Sequence, residues 1–279
     1  TAAKRDEIRA IPGFADTFLV NGEAPASFSR FRQVRLADTL GRIATHGTDD
    51  FYRGALARQL AEELAAVGSP LTLDDLAAHH ARRVDPLTLA IPGATLANMT
   101  PPSQGVVSLM ILGIMQRLKA WDADPLGAAF VHAQVEATKQ AFKLRDRHVT
   151  DPAFMRIAPA ELLRAELLDE LAARIDAGRA APWGKRTDPG DTIWMGVIDG
   201  EGRAVSFIQS IYHEFGSGVV LSGSGVNWQN RGCSFSLAPA HINALAPGKR
   251  PFHTLNPALA RLADGRLMVY GTMGGDGQP

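Results

Sequence analysis

Apolar residues recur at helical spacing through the first two thirds of the chain. Between residues 31 and 67 this spacing is interrupted by the segment THGTDDFYRG, so we predict one helix on each side of it. Further on, Thr72 stands three residues before Asp75, which is the spacing of a capping box and predicts a short helix there. The apolar positions that carry the first two helices are Val34, Leu40, Ile43, Ala44, Leu56, Leu60 and Leu64.

The following segments predict a hairpin and further helices. Residues 84–99, VDPLTLAIPGATLANM, alternate in polarity and carry proline and glycine in the middle, which predicts two strands joined by a turn. In TPPSQGVVSLMILGIMQRL two prolines and Ser103 precede an apolar run, so we expect a buried helix to begin near Ser103. The segments PLGAAFVHAQVEATKQAFKLRDRHVTDP and APAELLRAELLDELAARIDAG predict two long helices.

From Thr192 onward the pattern changes to short strands separated by glycine turns. We predict strands at 192–198, 203–212, near 219–221 and near 266–271. The first two are apolar on both faces, which is typical of a sheet covered on both sides. Residues 180–191, AAPWGKRTDPGD, form the one plausible linker. Together the elements predict a layered α/β fold, with helices outside and sheet inside.

The segment VIDGEGRAV predicts a tight hairpin. Asp199 and Gly200 enter the turn, and Gly202 suits a left-handed position that closes a three-residue loop. Counting back along both strands from that loop places Thr192 opposite Ser210. A two-residue loop would place Gln209 there instead, so in both cases the threonine gains a polar neighbour.

Two interpretations of Thr192 remain open at this point. It is a common strand former, and the hairpin alone favours the view that Ser210 is simply a satisfied core hydroxyl. Alternatively, Thr192 is a nucleophile released by cleavage of its bond to Asp191. Its new α-amino group, with a pKa of about 8, would then act as general base for its own hydroxyl.

Composition and charge narrow the classes of partner. The chain has 279 residues, 46% of them hydrophobic, which is enough for a large core. Its 29 basic and 29 acidic residues balance, so we expect small-molecule partners rather than nucleic acid or anionic membrane. No apolar run approaches the roughly 18 residues of a membrane span. Without an initial methionine the chain looks like a fragment, and its compartment is left undetermined.

Several candidate sites are discounted. The single cysteine, Cys233, excludes an intrachain disulfide, and we expect it to be a packing residue rather than a nucleophile. His213 and Glu214 suggest a metal pair, but neighbours on a strand point to opposite faces. The segment GSGVVLSGSG lacks the lysine of a phosphate loop. We therefore expect neither a metal nor a cofactor.

The order and spacing of several motifs resemble the γ-glutamyltranspeptidase family. Downstream motifs are GDTIWMGVIDGEGRAVSFIQSIYHEFGSGVV, GVNWQNRGCSFS, PGKRPFHTLNPAL and GTMGGDGQP. Upstream motifs are LADTLGRIATHGTDDFYRGALARQL, LTLDDLAAH, TPPSQG and HAQVEATKQAFKLRDRHVTDP. The resemblance covers essentially the whole chain, and FGSG, PGKRP and the final pair of glycines are its most specific parts.

This resemblance implies an N-terminal nucleophile hydrolase with a four-layer αββα sandwich. Residues 1–191 would be the end of a large subunit and residues 192–279 the start of a small one, both contributing to one domain. The precursor would cut itself between Asp191 and Thr192, leaving Thr192 as the catalytic nucleophile. Ser210 would support that nucleophile, and the amides of Gly274 and Gly275 would bind the oxyanion.

The resemblance weakens at the expected substrate pocket. Ser234 stands where relatives that take γ-glutamyl groups have an acid for the α-amino group. His253 and Thr254 replace the paired serines that hold the α-carboxylate, and Tyr212 replaces an asparagine on the second hairpin strand. Losing a buried carboxylate that pairs with an ammonium is expected to weaken γ-glutamyl recognition.

Arg231, beside Asn230, offers another way to bind a carboxylate. An equally good interpretation is that this arginine is structural and pairs with a nearby acid. We therefore keep both residues as candidate substrate ligands.

Three functions are compatible with these motifs. The first is an autoprocessed amidase or acyltransferase that acts on γ-glutamyl or related acyl amides such as glutathione, with water or an amine as acceptor. The second is an acylase of the cephalosporin or glutaryl type, and the third is an uncleaved homologue that binds a metabolite without turnover. Because Ser234 replaces the acid, we expect a glutaryl anilide to be hydrolysed at least as well as a γ-glutamyl anilide.

Overall fold

A computed structural model of the chain describes residues 1–184, 192–277 and 279. The chain forms two compact units. The first unit consists of Thr1–Arg83 and His213–Asn230, and the second consists of Val84–Tyr212 and Arg231–Pro279. Each unit therefore takes residues from both sides of the predicted cleavage position.

The first unit is helical. Its core surrounds Leu56, Leu60 and Leu64, which are at most 1% exposed. The predicted break between its two main helices is confirmed, but the interrupting segment itself forms a short helix. Asp50 of this short helix accepts a hydrogen bond from the Leu56 main-chain nitrogen at 3.1 Å and so contacts the first turn of the next helix. The helices are α1 (Arg5–Ile8), α2 (Phe14–Phe18), α3 (Val34–His46), α4 (Asp49–Arg53), α5 (Ala55–Ala66) and α6 (Leu73–Ala78).

Two local predictions in the first unit have different outcomes. The capping box is confirmed at the start of α6, where Thr72 and Asp75 exchange hydrogen bonds between side chains and main chain. The strand predicted near 219–221 is wrong, since Val220 forms only an isolated bridge with Asn227. The chain turns back directly after this bridge, with the Leu221 nitrogen donating to the Val226 carbonyl at 2.9 Å, and Glu63 accepts hydrogen bonds from the main-chain nitrogens of Gly223 and Ser224 within that turn.

The second unit contains the sheet. Four antiparallel strands follow the order β1-β2-β5-β6, and a separate antiparallel hairpin is formed by β3 and β4. The predicted hairpin within 84–99 and the strand near 266–271 are confirmed, whereas β5 is not among the predicted strands. The strands are β1 (Leu87–Ile91), β2 (Ala94–Asn98), β3 (Ile193–Ile198), β4 (Ala204–Gln209), β5 (Ala258–Leu262) and β6 (Leu267–Tyr270).

The described part of the second unit also contains the helices α7 (Gly105–Arg117), α8 (Ala128–His148) and α9 (Ala165–Ala173). The predicted buried helix is confirmed as α7, whose Met110 and Ile114 are fully buried. The segment predicted as one long helix at 158–178 is instead a short 3-10 helix followed by α9. Arg164 separates them because its backbone is extended, with ψ 142°.

A buried ion pair on α8 holds the chain that leads toward the predicted linker. Lys139 Nζ lies 2.5 Å from Glu136 Oε1 and also donates to the Ala181 carbonyl at 2.6 Å. The Ala181 main-chain nitrogen donates to the same carboxylate at 3.2 Å. Burial would raise the pKa of Glu136, but the hydrogen bonds from Lys139 and Ala181 outweigh it, so this pKa is lowered.

Lys139→Met is expected to destabilise the protein by about 3–5 kcal/mol, because it leaves Glu136 buried without its counter-charge. Urea unfolding of the full-length protein measures this loss. Lys143→Met is the matched control, since Lys143 is exposed on the same helix and its replacement should change stability by less than about 0.5 kcal/mol. Equal stabilities of the two variants would contradict the prediction.

The β3–β4 hairpin has the register of the three-residue loop. Val197 pairs with Val205, and the Asp199 nitrogen donates to the Arg203 carbonyl at 3.0 Å. Gly202 has the expected left-handed backbone, with φ 81°. The predicted loop is therefore confirmed.

The expectation that both faces of this hairpin are covered is wrong within the described residues. Ile193, Val197 and Val205 are each more than half exposed. The hairpin packs chiefly against β6, where a Cβ at Gly196 would lie 2.7 Å from Val269. Because the contacts of the hairpin within the described residues are mainly with this one strand, several of its apolar side chains remain exposed.

Candidate active site

Thr192 directly precedes β3 and is only 7% exposed. Because Ile193 pairs with Gln209, continuing the register by one residue places Thr192 opposite Ser210. Asp191, the other half of the predicted cleavage site, lies outside the described residues. Cleavage between residues 191 and 192 therefore stays a prediction. The structure describes only the second of these two residues, Thr192.

Ser210 and Tyr212 form a sharp bend after the hairpin. The prediction that Tyr212 lies on the second strand is wrong, because β4 ends at Gln209. Tyr212 instead has a left-handed backbone with φ 83°, and its main-chain nitrogen donates to Ser210 Oγ at 2.9 Å. Such a backbone is unfavourable for a bulky residue and often marks a functional site.

Arg231 joins this bend through its guanidinium group. Its Cζ lies 4.2 Å from the centre of the Tyr212 ring, and its Nη1 donates to Ser234 Oγ at 3.4 Å. Arg231 and Ser234 are the two ends of a short 3-10 helix. The structure thus brings together four of the predicted site residues, Ser210, Tyr212, Arg231 and Ser234, which we call the arginine cluster.

Cys233 lies in the same 3-10 helix but is exposed. The expectation that it is a packing residue is therefore wrong, because a helical turn at the surface replaces the strand in which we had placed it.

Asn230 belongs to the first unit, and its side chain contacts His213. Its Oδ1 accepts from the His213 main-chain nitrogen at 3.3 Å, and its Nδ2 lies 2.9 Å from His213 Nδ1. His213 and Glu214 are not on a strand, so the reason for which we discounted them as a metal pair was wrong. Among the residues that the structure describes, no group of three or more metal-ligating side chains occurs.

The segment carrying His253 and Thr254 is fixed at several points. The Gln104 nitrogen donates to the His253 carbonyl at 3.1 Å, and the His253 nitrogen donates to the Pro102 carbonyl at 3.1 Å. Asn256 Nδ2 donates to the Thr254 carbonyl at 2.8 Å. Both candidate ligands are therefore presented by a rigid backbone.

The segment also begins at an ion pair that the sequence analysis did not assign. Arg250 donates to the Asp151 carboxylate through its main-chain nitrogen at 2.8 Å and through Nη2 at 2.9 Å. Asp151 belongs to the motif VTDP and Arg250 to the motif PGKRP. The motifs therefore marked both residues, but the sequence did not show that the two side chains contact each other.

Two polar atoms in this segment are buried without a hydrogen-bond partner among the described residues, His253 Nδ1 and Thr254 Oγ1. Burial, followed by the charges of Arg231 and Arg250, lowers the pKa of His253 from 6.5 to about 4. His253 is thus neutral near pH 7. Unsatisfied buried polar atoms cost free energy, and a polar ligand would satisfy them.

The lowered pKa of His253 predicts a loss of stability in acid. Below pH 6.5 the unfolded chain protonates this residue, whereas the folded protein keeps it neutral down to about pH 4. The stability contributed by neutral His253 is therefore present above pH 6.5 and decreases by up to about 3 kcal/mol on acidification to pH 4.

This loss can be measured by urea unfolding at a series of pH values, comparing the natural protein with His253→Asn. The difference in unfolding free energy between them should shrink as the pH falls, because asparagine does not titrate. A difference that is constant between pH 7 and pH 4 would contradict the prediction.

Gly274 and Gly275 follow β6 in a turn that requires glycine. Their φ angles are 121° and 58°, both in the region that side chains disfavour. The buried Gln104 donates from Nε2 to the Gly275 carbonyl at 3.2 Å. Sequence reasoning missed Gln104, although it lies within the motif TPPSQG, because the motif does not show what the side chain contacts.

The fold and site together define the class of protein. The chain has the α/β fold of the N-terminal nucleophile hydrolases, in agreement with the fold predicted from the sequence. A profile of the Gamma-glutamyltranspeptidase family matches residues 1–279, and the chain belongs to this family.

Several individual members of the family are similar to this chain in sequence or structure. The chain is 61% identical over 279 residues to the oxamate amidohydrolase proenzyme of Klebsiella pneumoniae, covering 100% of this chain and 52% of the relative. It is 40% identical over 272 residues to the glutathione hydrolase-like YwrD proenzyme of Bacillus subtilis, covering 98% of this chain and 52% of the relative. Among solved structures, the crystal structure of cephalosporin acylase from Bacillus halodurans matches with a TM-score of 0.90 and 35% sequence identity. The match covers 100% of this chain and 52% of the acylase chain.

The chain therefore spans about half the length of these relatives. Within the described residues, no helix combines the length and the apolar character needed to cross a membrane.

Proposed function

We propose that the full-length protein is an autoprocessed amidohydrolase with Thr192 as its N-terminal nucleophile. Its substrate is a small amide that carries a carboxylate next to the scissile carbonyl, as oxamate does. The proposal agrees with the 61% identity to a relative named oxamate amidohydrolase proenzyme and with the family of the whole chain.

In the proposed maturation, Thr192 Oγ attacks the Asp191 carbonyl, the C–N bond between residues 191 and 192 breaks, and the hydroxyl proton passes to the Thr192 nitrogen. Water then hydrolyses the resulting ester. The products are a large subunit that ends at Asp191 and a small subunit that begins with Thr192. Its liberated α-amine can then take the proton from Oγ. The buried position of Thr192 at the start of β3 supports this role, since it places the hydroxyl on a rigid element.

In the proposed turnover, Thr192 Oγ attacks the amide carbon and forms a tetrahedral intermediate. The amides of Gly274 and Gly275 stabilise its oxyanion, and Ser210 supports the nucleophile. The α-ammonium group returns its proton to the leaving nitrogen, so ammonia departs and an ester remains on Thr192. Water hydrolyses this ester, which gives the dicarboxylate and restores the enzyme.

The proposed substrate is inferred mainly from the arginine cluster. In γ-glutamyl-specific relatives an acid stands at the position of Ser234, whereas here Ser234 accepts a hydrogen bond from Arg231. A guanidinium held over the Tyr212 ring can bind a carboxylate. Arg250 also lies near His253, but its charge is largely balanced by the ion pair with Asp151. The unpartnered atoms of His253 and Thr254 would accept or donate the remaining hydrogen bonds.

Ammonia release by the mature full-length protein tests the proposal. Oxamate should be hydrolysed with a kcat/KM at least about 100-fold above that for oxamide, which replaces the carboxylate with a neutral amide. Equal rates on the two compounds would contradict a carboxylate-binding pocket, and no ammonia from either would contradict the amidohydrolase itself.

A second candidate function is an acylase that takes longer acyl groups. The TM-score of 0.90 to a cephalosporin acylase and the 40% identity to a glutathione hydrolase-like protein favour it. A glutaryl anilide and a γ-glutamyl anilide, tested beside oxamate, distinguish the two. We expect the glutaryl compound to react at least as well as the γ-glutamyl compound, and faster turnover of either anilide than of oxamate would select the acylase.

A further inference from the structure

Gln104 connects both halves of the candidate active site. It precedes α7 and is fully buried. Its main-chain nitrogen donates to the His253 carbonyl at 3.1 Å, and its side-chain Nε2 donates to the Gly275 carbonyl at 3.2 Å. One residue therefore ties the candidate substrate segment to the glycine turn.

The orientation of the Gln104 amide is set by Arg145 of α8. Arg145 Nη1 donates to Gln104 Oε1 at 3.1 Å, and a guanidinium can only donate hydrogen bonds. The oxygen of the amide must therefore face Arg145, which leaves Nε2 to face Gly275. Arg145 is itself fixed by stacking over the Phe142 ring, with Cζ 4.0 Å from its centre, and by an ion pair with Asp146 at 2.9 Å.

The glycine turn needs such a restraint. Two consecutive glycines have no side chains that limit their backbone angles, so the directions of their amides depend on contacts made by the carbonyls. The hydrogen bond from Gln104 fixes the peptide plane of the Gly275 carbonyl. The planes that carry the nitrogens of Gly275 and Gly274 lie one and two peptide units earlier, so they are restrained indirectly, through the backbone of Gly275.

We infer that Gln104 is a positioning residue for the oxyanion site. It does not touch the substrate; it holds the turn so that the two amides point toward the charge that develops in the transition state. Arg145 contributes indirectly, because it orients the Gln104 amide. This inference rests on the proposed function, because the glycine amides are oxyanion donors only if Thr192 is the nucleophile.

Gln104→Glu in the full-length protein is the direct test. Glutamate has nearly the same shape and still accepts from Arg145, but as a carboxylate it cannot donate to the Gly275 carbonyl. We expect kcat for oxamate to fall by about 10- to 100-fold while KM stays within about twofold, since the lost restraint matters mainly in the transition state. Gln104→Met, which keeps the bulk but removes the polar atoms, should show the same division between kcat and KM.

Ser108→Ala is the matched control, because Ser108 is a buried polar residue one turn further along α7. It should leave kcat unchanged. The inference is wrong if kcat for Gln104→Glu stays within twofold of the natural enzyme, if KM changes as much as kcat, or if Ser108→Ala has the same effect.

Thermal melting completes the test. If both Gln104 variants are unfolded at 25 °C, Gln104 serves folding and the positioning role is wrong. An inactive natural enzyme would instead overturn the proposed function together with this role. These outcomes are distinguishable, because only the latter appears in the protein without substitutions.

Discussion

Thr192→Ala is expected to leave the full-length protein as one uncut chain without measurable amidase activity. The substitution removes the oxygen that would attack the Asp191 carbonyl in maturation and the substrate carbonyl in turnover. Loss of an enzymatic nucleophile commonly lowers kcat by about 10⁴-fold or more. Denaturing electrophoresis and intact mass measure the cut, and ammonia release from oxamate measures turnover.

Two variants sharpen this test. Thr192→Ser retains a hydroxyl and should still be cut and active, although more slowly. Cys233→Ala should be cut and active like the natural protein, because the proposed mechanism does not use this exposed thiol. A mature, active enzyme in which the bond between residues 191 and 192 is intact would refute the mechanism. An uncut and inactive natural protein would point to the metabolite-binding homologue.

Arg231→Met is expected to lower kcat/KM for oxamate by about 100-fold or more and to leave the slow reaction with oxamide nearly unchanged. The reason is that in the proposed pocket the guanidinium pairs with the carboxylate, which oxamide lacks. Arg231 is half-buried, and truncating one partner of a hydrogen-bonded charge pair that the substrate desolvates costs about 2–5 kcal/mol. Arg231→Lys keeps the charge but not the flat surface that lies over Tyr212, so an intermediate value is expected.

Arg147→Met is the control for Arg231, since Arg147 is an exposed arginine of the same unit. It should not alter the preference for oxamate. Electrophoresis must first show that each variant is cut to the same extent, so that incomplete maturation is not mistaken for weak binding. Equal losses on oxamate and oxamide would show that Arg231 is structural, the interpretation that the sequence left open.

The elements that sequence analysis predicted well depend on neighbouring residues. Thr72 and Asp75 form their capping box within a single turn, and Gly202 closes its hairpin loop within three residues. The hairpin register follows from that loop by counting along both strands, which places Thr192 opposite Ser210. Local stereochemistry decides each of these features, so a short window of sequence contains the required information.

The elements that were missed depend on distant residues. Tyr212 was predicted to continue a strand, but it takes a left-handed backbone beside the guanidinium of Arg231. The prediction that both faces of the hairpin are covered was wrong. An apolar pattern indicates that a surface tends to be buried, but it does not show which element would pack against that surface. Strand β5 was missed because its pairing with β2 and β6 is long-range.

The sequence by itself determined the family, the mixed helix and sheet fold, the hairpin loop and the candidate nucleophile. Only the tertiary structure decided how Gln104 reaches Arg145, 41 residues away, and Gly275, 171 residues away. The physical reason is that caps and turns follow from backbone preferences of adjacent residues. A buried polar network, in contrast, requires donors and acceptors from several elements, and packing alone brings them within hydrogen-bonding distance.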